Sequence, residues 1–164
     1  MARGNIFTCD QAKAQIVAPF PEINFFDRQS ISLSKEIQPL EAWRKITSKP
    51  PVILKLAFYL RDRISGWFGV RHIKGFSGTW PEKVVVNDQL DFFLVEALSD
   101  QILILTVRDK HLDVMTCIST DHKRLTITSS VKTHNAFGRA YMILVGPVHR
   151  LIVRGDLKRF KETH

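Results

Sequence analysis

Two cysteines in 164 residues, Cys9 and Cys117, stand too far apart for a CxxC-type zinc site, and they are too few for a disulfide framework. Long apolar runs are also missing: residues 52–60 are the longest, broken by Lys55 and too short to cross a bilayer. The opening stretch MARGNIFTCDQAKAQ has no continuous apolar core of signal-peptide length, so a reduced, cytoplasmic setting is expected. There is no phosphate-binding glycine loop, dinucleotide fingerprint, nucleophile elbow or paired-histidine zinc motif. These absences remove the enzymes that announce themselves by a motif, but not those with dispersed catalytic residues. No cofactor and no metal are expected.

Apolar residues make up 45% and charged residues 24%, a balance that supports a packed core rather than disorder. The length fits one domain, expected over residues 24–160, with residues 1–23 as an arm lying over it or partly disordered. The formal charge of +8 suits an anionic partner. Because the basic residues are spread along the chain, solubility accounts for the excess equally well.

In chain order, Pro19 and Pro21 close the arm, and NFFDRQSISL reads as a first strand with Phe25, Ile31 and Leu33 inward. Two helices are then expected. Leu40, Trp43 and Ile46 mark one face of the first; Ile53, Leu56, Ala57, Leu60 and Ile64 mark the second. The glycine-bearing segment GFSGTWPEK reads as a loop whose Phe76 and Trp80 could cover an apolar mouth.

Residues 92–98, 102–107, 112–118 and 125–131 are short β-branched and apolar runs separated by polar turns, the pattern of an antiparallel meander. In the last of them Leu125, Ile127, Ser129 and Val131 alternate with Thr126, Thr128, Ser130 and Lys132, which predicts one covered face and one wet face. From His134 to the end the period changes to three and four. Phe137, Tyr141, Leu144, Val148, Leu151 and Ile152 define an apolar helical face, opposite a basic stripe of Arg139, Arg150, Arg154 and Lys158. Strands followed by one long helix give an α+β fold, a curved antiparallel sheet gripping the C-terminal helix. Such a concave sheet leaves space for a small molecule.

The runs RDKHLDVMTCIS and VKTHNAFGRAYMILVGPVHRLIVRGDL, with FFDRQSISL and LAFYLRDRISGWFGV upstream, resemble the bacterial domain of unknown function 2867. That family is similar to the START-like, birch-pollen-allergen-like helix-grip group. The resemblance implies the same helix-grip fold and the binding of apolar or amphipathic small molecules, and it carries no biochemical activity with it.

His111 and Asp113 lie two apart in a strand-like run and so share a face; a histidine beside a carboxylate can serve as a general base. Glu96 is a further carboxylate candidate. Polar residues at a hairpin start also make purely structural hydrogen bonds, and that reading stands beside the catalytic one. Asn135 is placed to cap the long helix, and Pro147, before His149 and Arg150, to kink it. The basic stripe reads as a solvated face, with weak anionic membrane contact through Arg150, Arg154 and Lys158 as its functional alternative. Nucleic acid is disfavoured, since no aromatic platform interleaves with the stripe.

Three functions follow. The first is a small-molecule-binding protein whose cavity is lined by Tyr141, Leu144 and Val148 and covered by Phe76 and Trp80. The second is a small enzyme of cyclase, hydratase or hydrolase type using His111 and Asp113. The third is a structural or interaction module with a filled core.

Overall fold

The computed structural model describes residues 7–9, 14–48 and 81–163. Strands β1 (Phe7–Cys9) and β2 (Ala14–Ile16) form a small hairpin, followed by a single 3-10 turn at Phe20–Glu22. Strand β3 (Phe25–Ser32) leads to helix α1 (Pro39–Ser48). The meander follows: β4 (Gln89–Leu90), β5 (Phe93–Leu98), β6 (Ile102–Arg108), β7 (Leu112–Asp121) and β8 (Arg124–Thr133). Helix α2 (Ala136–Thr163) closes the chain. The expected second helix and the Phe76–Trp80 cover lie outside the described residues.

The six-stranded antiparallel sheet runs in the order β3-β8-β7-β6-β5-β4, so the first long strand pairs with the last. The expected α+β architecture, a curved sheet with a long C-terminal helix, is the one found. Local chemistry sets the joints. Asp109 Oδ1 accepts from the backbone N–H groups of His111 and Leu112 at 2.7 and 3.0 Å, turning β6 into β7. The capping role read for Asn135 holds: its Oδ1 accepts from the Gly138 N–H at 3.0 Å, at the start of α2.

Strand alternation divides the core between the two faces of the sheet. On the helix side Leu103, Leu105, Ile118, Leu125 and Ile127 pack with Trp43 of α1 and with Leu157 and Phe160 of α2. Trp43 meets Phe93 edge-on at 5.6 Å, fixing α1 to the sheet. On the opposite face Ile104, Met115 and Cys117 pack with Val17 and Ala18.

That second cluster corrects the expectation of a wet face. Thr126, Thr128 and Ser130 are buried, because the N-terminal segment lies across this side of β7 and β8. Val17 N–H donates to Ser130 Oγ at 3.0 Å, and the Ser30 and Thr126 hydroxyls share a hydrogen bond of 2.8 Å. Ser130 and Thr126 tolerate this cover because their hydroxyls find partners at the sheet surface, whereas the buried Thr128 hydroxyl has none among the described residues.

The orientation of α2 also differs from the expected one. Gly138, Gly146, Leu157 and Phe160 are its buried positions, with Met142, His149 and Val153 half-buried between them. Leu144 and Val148 point outward, as does Leu151. Glycine is the reason. A Cβ at Gly138 would collide with the carbonyl oxygen of His111, and one at Gly146 would stand 3.0 Å from the Phe25 ring. The helix therefore sits close to the sheet along its glycine side, a geometry that a face of Leu and Val could not reach. Pro147 lies inside the continuous helix on its exposed side, where the hydrogen bond a proline cannot make is lost next to solvent.

Leu157→Ala should cost about 2–5 kcal/mol in chemical denaturation, while Leu144→Ala should stay within about 0.5 kcal/mol of the parent. Gly138→Ala should cost about 1–3 kcal/mol, since the obstacle is backbone that cannot rotate away. Equal losses for the two leucine variants would show that α2 is turned the other way.

Candidate functional site

Beneath the middle of α2 the sheet changes character. The inward residues of β3 are Phe25, Asp27, Gln29 and Ile31, opposite Val131, Ser129, Ile127 and Leu125 of β8. In turn Val131, Ser129 and Ile127 face Val114, Thr116 and Ile118 of β7. Rows at both ends are apolar: Phe25, Val131 and Val114 pack with Tyr141 and Met142, and Ile127 and Ile118 belong to the main core. Between them runs a polar row, Asp27–Ser129–Thr116, across three adjacent strands. Ser129 and Thr116 are buried, and the Asp27 side chain is only 13% exposed.

Groups from β3 and α2 close over this row. Gln29 Nε2 donates to Asp27 Oδ2 at 2.7 Å and to the Arg150 carbonyl at 3.0 Å, tying the carboxylate to the helix. Arg150 lies with its Nε 3.8 Å from Asp27 Oδ1 and its guanidinium 5.0 Å from the centre of the Phe25 ring. It is thus partly folded back onto the sheet, rather than standing with Arg154 and Lys158 as a plain solvated cation.

His149 meets Phe25 edge-on at 5.6 Å, and its buried Nδ1 has no hydrogen-bond partner among the described residues. Burial pushes its pKa down; the Asp27 carboxylate opposes that shift and the Arg150 guanidinium reinforces it. The ring is therefore neutral at pH 7, with one buried nitrogen left unpaired among the described residues. A hydroxyl, amide or protonated acid could meet it.

A groove of about 370 Å³ opens beside this row, between β3 and the C-terminal half of α2. Its lining is Gln29, Ser30, Ile31, Arg154, Leu157, Lys158 and Lys161. Ile31 and Leu157 supply apolar surface, Arg154, Lys158 and Lys161 a cationic rim. Gln29 belongs to both the groove and the Asp27 network.

The residues singled out from sequence are dispersed by comparison. Tyr141 is half-buried in the Phe25 cluster, whereas Leu144 and Val148 face away from the sheet; Phe76 and Trp80 lie outside the described residues. His111 packs on Phe137 at 4.7 Å, and its Nδ1 accepts from Asn135 Nδ2 at 2.9 Å. Asp113, by strand alternation on the face away from α2, pairs with His134 Nε2 at 3.1 Å. Glu96 sits at a bulge in β5, bonded to Arg108 and to Thr106 Oγ1 on that same outer face. His111, Asp113 and Glu96 are thus each bonded to other residues, with Arg108 standing between Glu96 and Asp113. No cluster of metal-ligating side chains occurs among the described residues.

The polar row left a trace in the sequence. Ser129 occupies an inward position among Leu125, Ile127 and Val131, and Asp27 one between Phe25 and Ile31. Single strands do not reveal that these two positions are cross-strand neighbours, nor that His149 lies near Asp27.

The buried imidazole makes stability depend on pH. The folded pKa of His149 lies below the ordinary 6.5, so in the intervening window the unfolded chain binds the extra proton and stability falls as pH drops from about 6.5 toward the folded value. The thermal midpoint of the parent should fall more between about pH 7.5 and about pH 5.5 than that of His149→Gln, which removes the titration. Parallel curves would mean that His149 titrates as an exposed histidine does.

Comparison with known proteins places the chain without supplying an activity. Neither the curated proteins nor the solved structures contain a match. A family model described as Protein of unknown function (DUF2867) does match, over residues 19–156. Reaching from just before the 3-10 turn into the last turns of α2, that match covers most of the chain, which therefore belongs to the DUF2867 family.

Proposed function

We propose that this protein binds an amphipathic small molecule between its sheet and its long helix, and does so without chemistry of its own. The observation that carries this reading is the Asp27–Ser129–Thr116 row, a buried polar strip inside an otherwise apolar layer, with His149 beside its Asp27 end. Leaving a buried polar atom unpaired costs roughly 1–3 kcal/mol, so the bare Nδ1 of His149 is a cost that a bound polar group would remove. The adjoining groove gives such a molecule apolar walls and a cationic rim, which favours an acidic head group. The enzymatic alternative needs a histidine and a carboxylate converging on a cavity; His111, Asp113 and Glu96 are each engaged elsewhere.

Anilinonaphthalene sulfonate, an apolar dye with one acidic group, should bind the folded protein near one equivalent, with a rise in fluorescence. Lys158→Glu combined with Lys161→Glu should weaken binding by about tenfold, because two exposed favourable contacts become repulsive. Ser129→Val should also weaken it, by replacing a hydroxyl of the row. A parent that does not bind the dye, or binding indifferent to both variants, would leave the interaction module with a filled core as the better reading.

A further inference from the structure

Helix α2 presents a second surface, an apolar arc that lines no part of the groove although Arg154 and Lys158 border both. From Ala140 to Leu151, about 16 Å along the axis, its outward residues are Ala140, Ile143, Leu144, Pro147, Val148 and Leu151. Ile143, Leu144 and Leu151 are 75%, 69% and 67% exposed, values unusual for large apolar side chains grouped on one arc. By length and composition residues 136–162 could even cross a membrane. Their seating forbids it in this fold: Gly138, Gly146, Leu157 and Phe160 hold the same helix along the sheet.

Charge indicates what covers the arc. The helix carries six basic residues against two acidic ones, and Asp156 is bonded to Arg159. Arg139 stands exposed near one end of the apolar arc, and Arg154 and Lys158 beyond the other. A second copy of the chain would bring these like charges together, in a protein already at +8. An anionic surface would be attracted by them.

We infer that the outward arc of α2 docks the protein on an anionic lipid surface. The helix lies flat, with Ile143, Leu144, Val148 and Leu151 at the acyl boundary and Arg139, Arg154 and Lys158 among the head groups. Long cationic side chains reach the head-group level while their stems follow apolar surface.

The full chain should co-sediment with vesicles of phosphatidylcholine mixed with phosphatidylglycerol and fail to do so with phosphatidylcholine alone. Added salt should weaken binding by screening the cations. Leu144→Asp combined with Leu151→Asp should abolish co-sedimentation while retaining the parent's melting temperature and its binding of anilinonaphthalene sulfonate, which separates this surface from the groove. Equal binding to both vesicle types, or binding unchanged in the double variant, would overturn the inference. So would a concentration-dependent dimer in sedimentation velocity that the double variant breaks without any vesicle binding, since the arc would then meet a second copy. Strong loss of melting temperature in the double variant, with no vesicle binding by the parent, would make the arc an internal packing face and overturn it as well.

Discussion

Close approach of α2 to the sheet at Gly138 and Gly146 is the constraint from which most of the architecture follows. Gly138 has no room for a Cβ against the His111 carbonyl, and Gly146 rests on the Phe25 ring. With the glycine side turned inward, the remaining inward positions are fixed by helical geometry: Met142, His149, Val153, Leu157 and Phe160 follow at spacings of three and four. Large apolar residues half a turn away must then face out. One steric requirement thus turns His149 toward Phe25 and Asp27 and exposes Leu144 and Leu151.

The interior beneath the helix is built of unequal parts. Apolar rows at either end hold helix to sheet through area removed from water, which needs no particular alignment. The polar row in the middle is directional. Gln29 bonds both Asp27 and the Arg150 carbonyl, so helix and edge strand keep a defined register there. A row of buried hydroxyls and a carboxylate is tolerable only when its atoms are satisfied, and the Nδ1 of His149 marks where satisfaction is incomplete. Gln29 of that network also lines the groove with its cationic rim.

Coverage of the outer sheet face is a separate achievement of the N-terminal segment. Ala14, Ile16, Val17 and Ala18 are buried, although residues 14–18 precede the stretch matched by the family model. They turn an antiparallel sheet with one covered face into the middle layer of three. Thr128 and Ser130 then serve as packing residues despite their hydroxyls.

How much of this was legible depended on whether the signal was local. Periods of two and of three to four located the meander strands and the long helix, because side-chain alternation and amphipathic spacing are properties of the segment itself. Asn135 announced the helix start for the same reason, its cap reaching only three residues ahead. The sequence by itself determined these elements, their order and hence the α+β class. Only the tertiary structure decided which side of α2 faces the sheet, because its apolar residues surround the helix and the choice rests on where Gly138 meets a carbonyl and Gly146 a ring. It also decided that Asp27, Ser129 and Thr116 form one polar row, with His149 beside its Asp27 end. Their adjacency is made by pairing β3 with β8 across about a hundred residues of chain, a contact that no local pattern encodes.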